Sequence, residues 1–181
     1  MELIQVTLDT VTDVVSDILE NQKEACVFCV PDENCAVVGS NGGANMNMIK
    51  NKGIKLVQIK HEGGTIILSP GDVEIGIFTN GYIGNEYRQN IINDIINILK
   101  DKGHDPVISG NDVLINGRKV IGFGSRMFGN ILYTAIQISI NINLGLIKSI
   151  CTKPMAKEPD GLMNYGVTTD DILNIINKTF R

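Results

Sequence analysis

The sequence lacks the features by which membrane, secreted and nucleic-acid-binding proteins are usually recognised. No apolar run reaches the roughly 18 residues that a membrane-spanning helix requires. The chain begins Met1-Glu2-Leu3, without the basic stretch and apolar run of a secretion signal. Its 16 lysines and arginines are outnumbered by 20 aspartates and glutamates, so the composition gives no electrostatic reason to expect a nucleic-acid partner. We therefore expect a cytoplasmic protein with no membrane span and no nucleic-acid partner.

Metal ligands are also scarce, since the chain has two histidines and four cysteines. Cys26 and Cys29 have the C-x-x-C spacing of many zinc and redox sites. They lie in the apolar run 25–30, which is typical of a buried strand, and strand residues three positions apart point to opposite faces. Reduced, structural cysteines are the favoured interpretation, and a metal or disulfide role is the alternative. No metal site is predicted.

What the sequence does have is the composition of one globular domain. Of its 181 residues, 43% are hydrophobic and 20% are charged, which suits one core and argues against disorder. Apolar spacing predicts helices over 8–22, 85–102 and 169–179. Apolar runs predict strands over 25–30, 35–39, 54–59, 65–68, 73–79, 106–108, 112–115, 118–124 and 131–142, with an irregular loop over 152–166. This pattern indicates a single α+β domain over 1–181, with a mixed, mostly antiparallel sheet and flanking helices.

The most informative local pattern is a hairpin near the middle of the chain. Asn116-Gly117 is a strong signal for a tight hairpin turn. Lys119 follows in the return strand, along which Gly122 and Gly124 alternate. Glycine inside a strand often marks the close approach of a ligand or another backbone. A lysine at this place can reach a phosphate or an acyl carbonyl, although spacing alone favours a solvated lysine beside a turn.

The segment 111–124 resembles the catalytic segment of lipoate-protein ligases. It is also similar to the corresponding segment of biotin-protein ligases and octanoyltransferases, which belong to the same superfamily. In that superfamily the lysine at the position of Lys119 binds the acyl group and, in the ligases, the phosphate of an acyl-adenylate. Asn111 and Asp112 match the pair that precedes this lysine. The resemblance therefore implies a biotin/lipoate ligase catalytic-domain-like fold, with Lys119 as a catalytic residue.

A second block, between residues 35 and 72, resembles the N-terminal half of lipoate ligases. There a strand ends in Gly-x-Asn, and later glycine-rich turns line a narrow acyl tunnel in which bare backbone lies close to the chain. The resemblance as a whole extends over roughly residues 25–150 and is weaker at both ends. Besides Asn111 and Asp112, the substrate-binding residues predicted in this way are Asn41, Gly63, Gly64, Thr65, Gly71, Gly122 and Gly124. His61 is a further candidate, because it adjoins the glycine turn, and the alternative is a histidine without substrate contact.

Two departures from the ligase pattern bear on the use of ATP. Glu62 stands where a glycine or an arginine is usual, and Leu68 stands where a histidine is expected. An acid close to a nucleotide phosphate costs about 1 kcal/mol or more. We also expect no accessory C-terminal domain of the kind that many lipoate ligases have, so an accessory subunit is a candidate partner.

Cys151 offers a route without ATP. Octanoyltransferases of the superfamily place a thioester-forming cysteine in a similar region after the same lysine, so the resemblance gives Cys151 a catalytic role as nucleophile. Lys148 and Lys153 in sequence, and Lys119 in space, are expected to lower the pKa of its thiol. The alternative is an inert cysteine at the end of a strand.

Together these residues predict a lipoate-protein ligase-like acyltransferase. It would attach a lipoyl or octanoyl group to a lysine of a lipoyl-domain or acyl-carrier protein. In the ligase version ATP and magnesium generate an acyl-adenylate, whereas the thioester version needs no cofactor. The alternative is a non-catalytic member of the superfamily that binds a small acid or a protein partner.

Overall fold

The computed structural model describes residues 1–39, 42–58 and 64–181. The strands in these ranges are β1 (Glu2–Val6), β2 (Ala25–Cys29), β3 (Cys35–Val38), β4 (Lys55–Gln58), β5 (Thr65–Leu68), β6 (Val73–Asn80), β7 (Val107–Ser109), β8 (Asp112–Ile115), β9 (Arg118–Phe128) and β10 (Ile131–Ile138). The helices are α1 (Val11–Glu20), α2 (Met46–Asn51), α3 (Ile83–Asp101), α4 (Leu144–Ile150) and α5 (Thr169–Thr179). A short 3₁₀ helix, Leu162–Tyr165, precedes α5.

The strands form two sheets. Seven of them make a large sheet in the order β1-β2-β6-β10-β9-β8-β7, and three make a small sheet in the order β4-β3-β5. Neighbouring strands run antiparallel except for the pairs β1–β2 and β3–β4. The predicted α+β class, with a mixed and mostly antiparallel sheet and flanking helices, is confirmed.

One face of the large sheet is covered by α3 and α5. The apolar stripe of α3 has the spacing of an amphipathic helix and is fully buried against the strands; it consists of Ile91, Ile92, Ile95 and Leu99. Burial of each such side chain contributes about 1.5–3 kcal/mol. Helix α5 joins the same cluster and begins with a capping box at Thr168. The helices therefore fill this face, which we call the rear of the sheet.

The front face of the large sheet packs against the small sheet and α1. The cluster between them includes Val27, Cys29 and Phe78 from the large sheet and Cys35 and Leu68 from the small one. The outer face of the small sheet is covered in turn by α2 and α4. The front face of the large sheet is the one that carries the candidate site.

The elements that the sequence analysis misses are short or depend on distant residues. It does not predict β1, α2 or α4, whose few residues gain their stability from tertiary packing. A strand is predicted over 131–142, but β10 ends at Ile138, so the prediction is wrong for the last four residues. The buried carboxylate of Asp72 accepts the N–H groups of Ile140 and Asn141 at 2.7 and 3.0 Å, and these donors are thereby lost to the sheet.

Three of the four cysteines, Cys26, Cys29 and Cys35, are buried, and Cys151 is half-buried. Cys26 and Cys29 lie on opposite faces of β2, as predicted, and all four cysteines are free. Burial raises the pKa of Cys26 to about 12 and that of Cys29 to about 11. Within the described ranges, none of the helices has the length and apolar composition for crossing a bilayer.

Candidate active site

A β-bulge in the β8–β9 hairpin decides where Lys119 points. Asp112 lies opposite Gly122, but Leu114 lies opposite Lys119, so two steps along β8 span three steps along β9. Successive strand residues alternate between faces, and the bulge inserts the extra residue that breaks this alternation. Lys119 and Gly122 therefore lie on the same face of the sheet although they are three residues apart.

The ammonium group of Lys119 lies directly above Gly122. A Cβ atom built on Gly122 would approach Lys119 Nζ to 2.6 Å and Cε to 2.8 Å, which is closer than real side chains come. The lysine side chain is 34% exposed, so it is neither sealed in the core nor projected into bulk water. The missing side chain at Gly122 is what lets Lys119 lie along the sheet.

Asp112 joins Lys119 to a second lysine that the sequence analysis does not identify. One carboxylate oxygen accepts a hydrogen bond from Lys119 Nζ at 2.8 Å, and the other accepts one from Lys157 Nζ at 2.9 Å. Lys157 also donates to the carbonyl of Ser109 at 2.9 Å. Partial burial raises the pKa of Asp112, but the hydrogen bonds from the two lysines outweigh this and leave it below its usual value. Two ammonium groups share one carboxylate, so the cluster keeps a net positive charge.

A segment near the C-terminus, 157–160, borders β9 at Lys119, and we call it the strap. The N–H of Lys119 donates to the Glu158 carbonyl at 2.9 Å, and the N–H of Asp160 donates to the Lys119 carbonyl at 2.8 Å. Pro159 lies between these two residues and forms a parallel bridge with Lys119. The strap falls within the irregular loop predicted over 152–166. In the structure it fixes the main chain of Lys119 on the side away from β8.

Small residues cover the sheet beside Lys119. Gly124, Ala135 and Gly76 are cross-strand neighbours on the same face as Gly122. Apart from its chain neighbours, no described residue comes within 4 Å of a Cβ built on Gly124, whereas the Tyr133 ring lies 3.0 Å from one built on Gly76. The result is an open strip over Gly124 and Ala135, with the lysine at one side and an aromatic ring at the other.

The next row of the front face carries two polar side chains, Glu74 of β6 and Gln137 of β10. Glu74 Oε2 is buried and has no hydrogen-bond partner among the described residues. Burial raises the pKa of Glu74 to about 8, with a further contribution from Asp72 and an opposing one from Lys119. Glu74 is not among the residues predicted from the sequence, although a charged residue within the apolar run 73–79 is a signal that marks it.

Cys151 lies at the C-terminal end of α4 and not after a strand. Its half-buried side chain packs against the cluster on the outer face of the small sheet. Burial raises the pKa of the Cys151 thiol, so the predicted lowering by neighbouring lysines is wrong. Lys148 lies 3.2 Å from a Glu158 oxygen, and Lys119 lies 2.8 Å from an Asp112 oxygen, so both of these charges have carboxylate partners.

The structure brings four of the predicted site residues together, namely Lys119, Asp112, Gly122 and Gly124. Asn111 is exposed next to Asp112, and its carbonyl accepts from the N–H of Phe123 at 2.9 Å. Outside the described residues lie Asn41, His61 and Gly63, together with Glu62.

The remaining predicted positions have other surroundings. Gly64 is exposed. Thr65 lies two residues before Ile67 in β5, so both side chains lie on the outer face of the small sheet. The Oγ1 atom of Thr65 is buried and has no hydrogen-bond partner among the described residues. Gly71 has a φ of +89° in the turn before β6, and its carbonyl accepts from Thr169 Oγ1 at 2.7 Å. The contacts of Gly71 are therefore those of a turn that is tied to α5.

Solved structures share this fold. The P. falciparum protein LipL1 in complex with lipoate matches with a TM-score of 0.81 at 15% identity, covering 99% of this chain and 61% of that one. A bipartite lipoate protein ligase from Thermoplasma acidophilum, described with its lipoyl domain, has a TM-score of 0.75 at 16% identity, covering 99% and 81%. A lipoate-protein ligase A bound with ATP has a TM-score of 0.74 at 14% identity, covering 99% and 83%. At these identities the likeness establishes the fold, and this chain spans less than two thirds of LipL1.

Sequence comparison gives a second, independent result. No curated protein sequence matches this chain. The profile of the lipoyl protein ligase A/B catalytic domain, however, matches residues 5–176, which is nearly the whole chain. The superfamily predicted from the hairpin segment is therefore confirmed, and this chain belongs to the lipoyl protein ligase A/B catalytic-domain family.

Proposed function

We propose that this chain binds a lipoyl- or octanoyl-type carboxylic acid, activates it with ATP and attaches it to a lysine of a lipoyl-domain protein. The observation that carries the proposal is the position of Lys119, whose ammonium group lies above Gly122 and beside the open strip at Gly124. The likeness to proteins described with lipoate, with ATP and with a lipoyl domain supports it.

The cluster of Lys119, Asp112 and Lys157 would receive the anionic end of the acid. Its net charge is positive, and each hydrogen bond from an ammonium group to an anion contributes about 1.5–3 kcal/mol. The hydrocarbon part would then lie along the strip over Gly124 and Ala135, where each buried CH₂ contributes about 0.8 kcal/mol. A charged head followed by an apolar strip suits a fatty or lipoic acid.

ATP acts as the second substrate in this proposal. The acid's carboxylate oxygen would bond to the α-phosphorus and release pyrophosphate. The acceptor lysine's neutral amine would then bond to the acyl carbon, the acyl C–O bond to the phosphate would break, and AMP and a proton would be released. Lys119 and Lys157 would hold phosphate oxygens while negative charge develops on them. Magnesium would enter with the triphosphate, because Mg²⁺ at nucleotide sites is held largely by the substrate's own phosphate oxygens and water.

The ligase version has more support than the thioester version. A thiolate is the attacking form of cysteine, and the raised pKa of Cys151 keeps the thiolate fraction small at neutral pH. Its side chain also packs with the outer cluster of the small sheet, whereas Lys119 lies on the large sheet. We therefore propose that Cys151 takes no part in the chemistry.

Mass spectrometry tests the proposal. The protein is incubated with octanoate or lipoate, ATP, magnesium and a lipoyl domain, and acyl-adenylate and acylated lipoyl domain are measured separately. We expect both products from the wild type and at least about a hundredfold less from K119Q. The matched control K178Q should keep its activity, because that lysine is 75% exposed on α5.

The other outcomes are equally clear. An acyl adduct on Cys151 that forms from a thioester donor without ATP would replace the ligase version with the thioester version. Acyl-adenylate without transfer would show that an accessory subunit is needed for the second step. If no product formed from any acyl donor, the chain would be a binding protein and not an enzyme.

A further inference from the structure

The aromatic ring of Tyr133 closes one end of the open strip. Tyr133 lies two residues before Ala135 in β10, so both side chains are on the front face. A Cβ atom built on Gly76 would lie 3.0 Å from the Tyr133 ring and 3.2 Å from the Phe78 ring. At the other end of the row, no described residue apart from the chain neighbours comes within 4 Å of a Cβ built on Gly124. The strip therefore begins at Gly124, crosses Ala135 and ends at the rings above Gly76.

Two neighbouring rings hold the Tyr133 ring in place. It stacks on Phe78, with ring centroids 4.9 Å apart and an angle of 22° between the planes. The Phe128 ring lies 6.3 Å away at a tilt of 52°. Burial raises the pKa of the Tyr133 phenol, with a further contribution from Glu74. Phe78 is itself fully buried between the sheets, so movement of the Tyr133 ring would disturb the packing of that cluster.

The register of the sheet sets the distance from the Lys119 amine to this ring. Gly122 and Gly124 are two residues apart in β9, which corresponds to about 6.7 Å along the strand. Gly124 and Gly76 are two strands apart, which corresponds to about 9.6 Å across the sheet. The diagonal from the amine above Gly122 to the ring above Gly76 is therefore about 12 Å.

This distance limits the length of the acyl chain. A hydrogen bond between the Lys119 amine and a carboxylate occupies about 3 Å, so at most about 9 Å remain for the chain. Because C–C bonds of about 1.5 Å meet at tetrahedral angles, an extended chain advances about 1.3 Å per bond. The strip therefore holds an extended chain of at most about eight carbons.

We propose that the ring of Tyr133 sets the longest acyl chain that this site accepts, at about eight carbons, and so excludes longer fatty acids. The inference rests on the proposed function, because it takes the carboxylate to bind at Lys119 and the hydrocarbon chain to lie along the strip. A longer chain must either push the ring away from Phe78 or leave its end in water. Neither arrangement gains the burial that each added CH₂ would otherwise provide.

Calorimetric titration with straight-chain fatty acids of six, eight, ten and twelve carbons tests the inference. In the wild type, we expect the affinity to rise about fourfold for each added carbon up to octanoate and to stop rising beyond it. Y133A and the milder Y133L should carry the rise on to decanoate, because the space of the lost ring becomes free for the chain. Y133F keeps the ring and should keep the limit at octanoate. The control Y82A removes a tyrosine that is 74% exposed at the start of α3, and it should also keep the limit.

The results separate the inference from the proposed function. Thermal unfolding first shows which variants are folded, and Y133L decides the matter if Y133A is not. A wild-type affinity that keeps rising to dodecanoate would overturn the inference and leave the proposed function intact. An unchanged limit in Y133L and Y133A would also overturn it, because another group would then end the strip. If no acid bound, or if K119Q bound octanoate as tightly as the wild type, the proposed function would fail and the inference with it.

Discussion

Lys119 and Gly122 are so close that a Cβ atom on residue 122 would lie 2.6 Å from the ammonium nitrogen. Both residues belong to β9, and the bulge opposite β8 turns them to the same face. The backbone of one residue thus supports the side chain of the other. The location of the amine therefore depends on the absence of a single methyl group.

The variant G122A should lower the rate of acyl-adenylate formation by about ten- to a hundredfold, because small displacements of a reacting group are costly. The fold should survive, since the lysine side chain is flexible and can rotate away. Single-turnover kinetics and thermal unfolding measure the two effects. The control is G145A in α4, where a built Cβ meets only Asn143 Oδ1 at 3.6 Å. An unchanged rate in G122A would mean that the position of the Lys119 ammonium group above Gly122 does not matter for the reaction.

The variant K157Q should reduce kcat/KM about tenfold, because Asp112 loses one of its two ammonium partners and the cluster loses its net positive charge. K157R should restore most of the activity, since it restores the charge. Steady-state kinetics with varied ATP and varied acid will show which substrate is affected. The exposed K178Q serves as the control. If K157Q matched K178Q, the second lysine would be a purely structural contact.

The stability of the wild type should fall as the pH rises from the usual glutamate pKa of 4.5 to about 8. Burial raises the folded-state pKa of Glu74, so the folded protein holds a proton that the unfolded chain releases in this window. Burial also raises the pKa of Asp72 to about 6, which acts in the same direction, so wild type and E74Q must be compared. Urea titrations should show a shallower fall for E74Q, by about 1–3 kcal/mol over the window. Parallel curves for the two proteins would contradict this.

The variant C151S should keep adenylate formation and transfer within about twofold of the wild type, because the Cys151 thiol lies outside the proposed chemistry. In the wild type, alkylation of Cys151 by iodoacetamide should be slower than that of a free cysteine, since burial raises its pKa and shields it. Peptide mass spectrometry gives the alkylation rate. A loss of transfer in C151S with normal adenylate formation would return the cysteine to the reaction.

The local sequence is enough to predict the hairpin turn at Asn116-Gly117. It also predicts that Lys119, Gly122 and Gly124 lie on the return strand. A tight turn and an alternating strand are both encoded by neighbouring residues. The partner Lys157 could not be found in this way, because it lies 45 residues from Asp112 and no periodicity links the two. The bulge could not be predicted either, because it is a shift in the pairing of β8 with β9. Such pairing depends on what the two strands pack against.

Two further differences have the same origin. The strand that contains Glu74 is predicted over 73–79, yet the burial of its carboxyl group follows only from the position of the small sheet. Cys151 is predicted to lie at the end of a strand, but it lies at the end of α4. This helix is too short to be recognised from sequence alone. Errors of this kind arise where tertiary contacts, and not local pattern, decide the outcome.

The strap holds Lys119 through main-chain atoms, the carbonyl of Glu158 and the N–H of Asp160. Pro159 fits between them because the N–H that it lacks is not needed there. Replacement of the side chain at 159 should therefore be tolerated, whereas gain or loss of one residue would shift donor and acceptor by about 3.3 Å. The number of residues in the strap therefore matters more than the identity of its side chains. Cleavage of the chain just before residue 157 would loosen Lys119, almost forty positions upstream, even though the β8–β9 hairpin stayed intact.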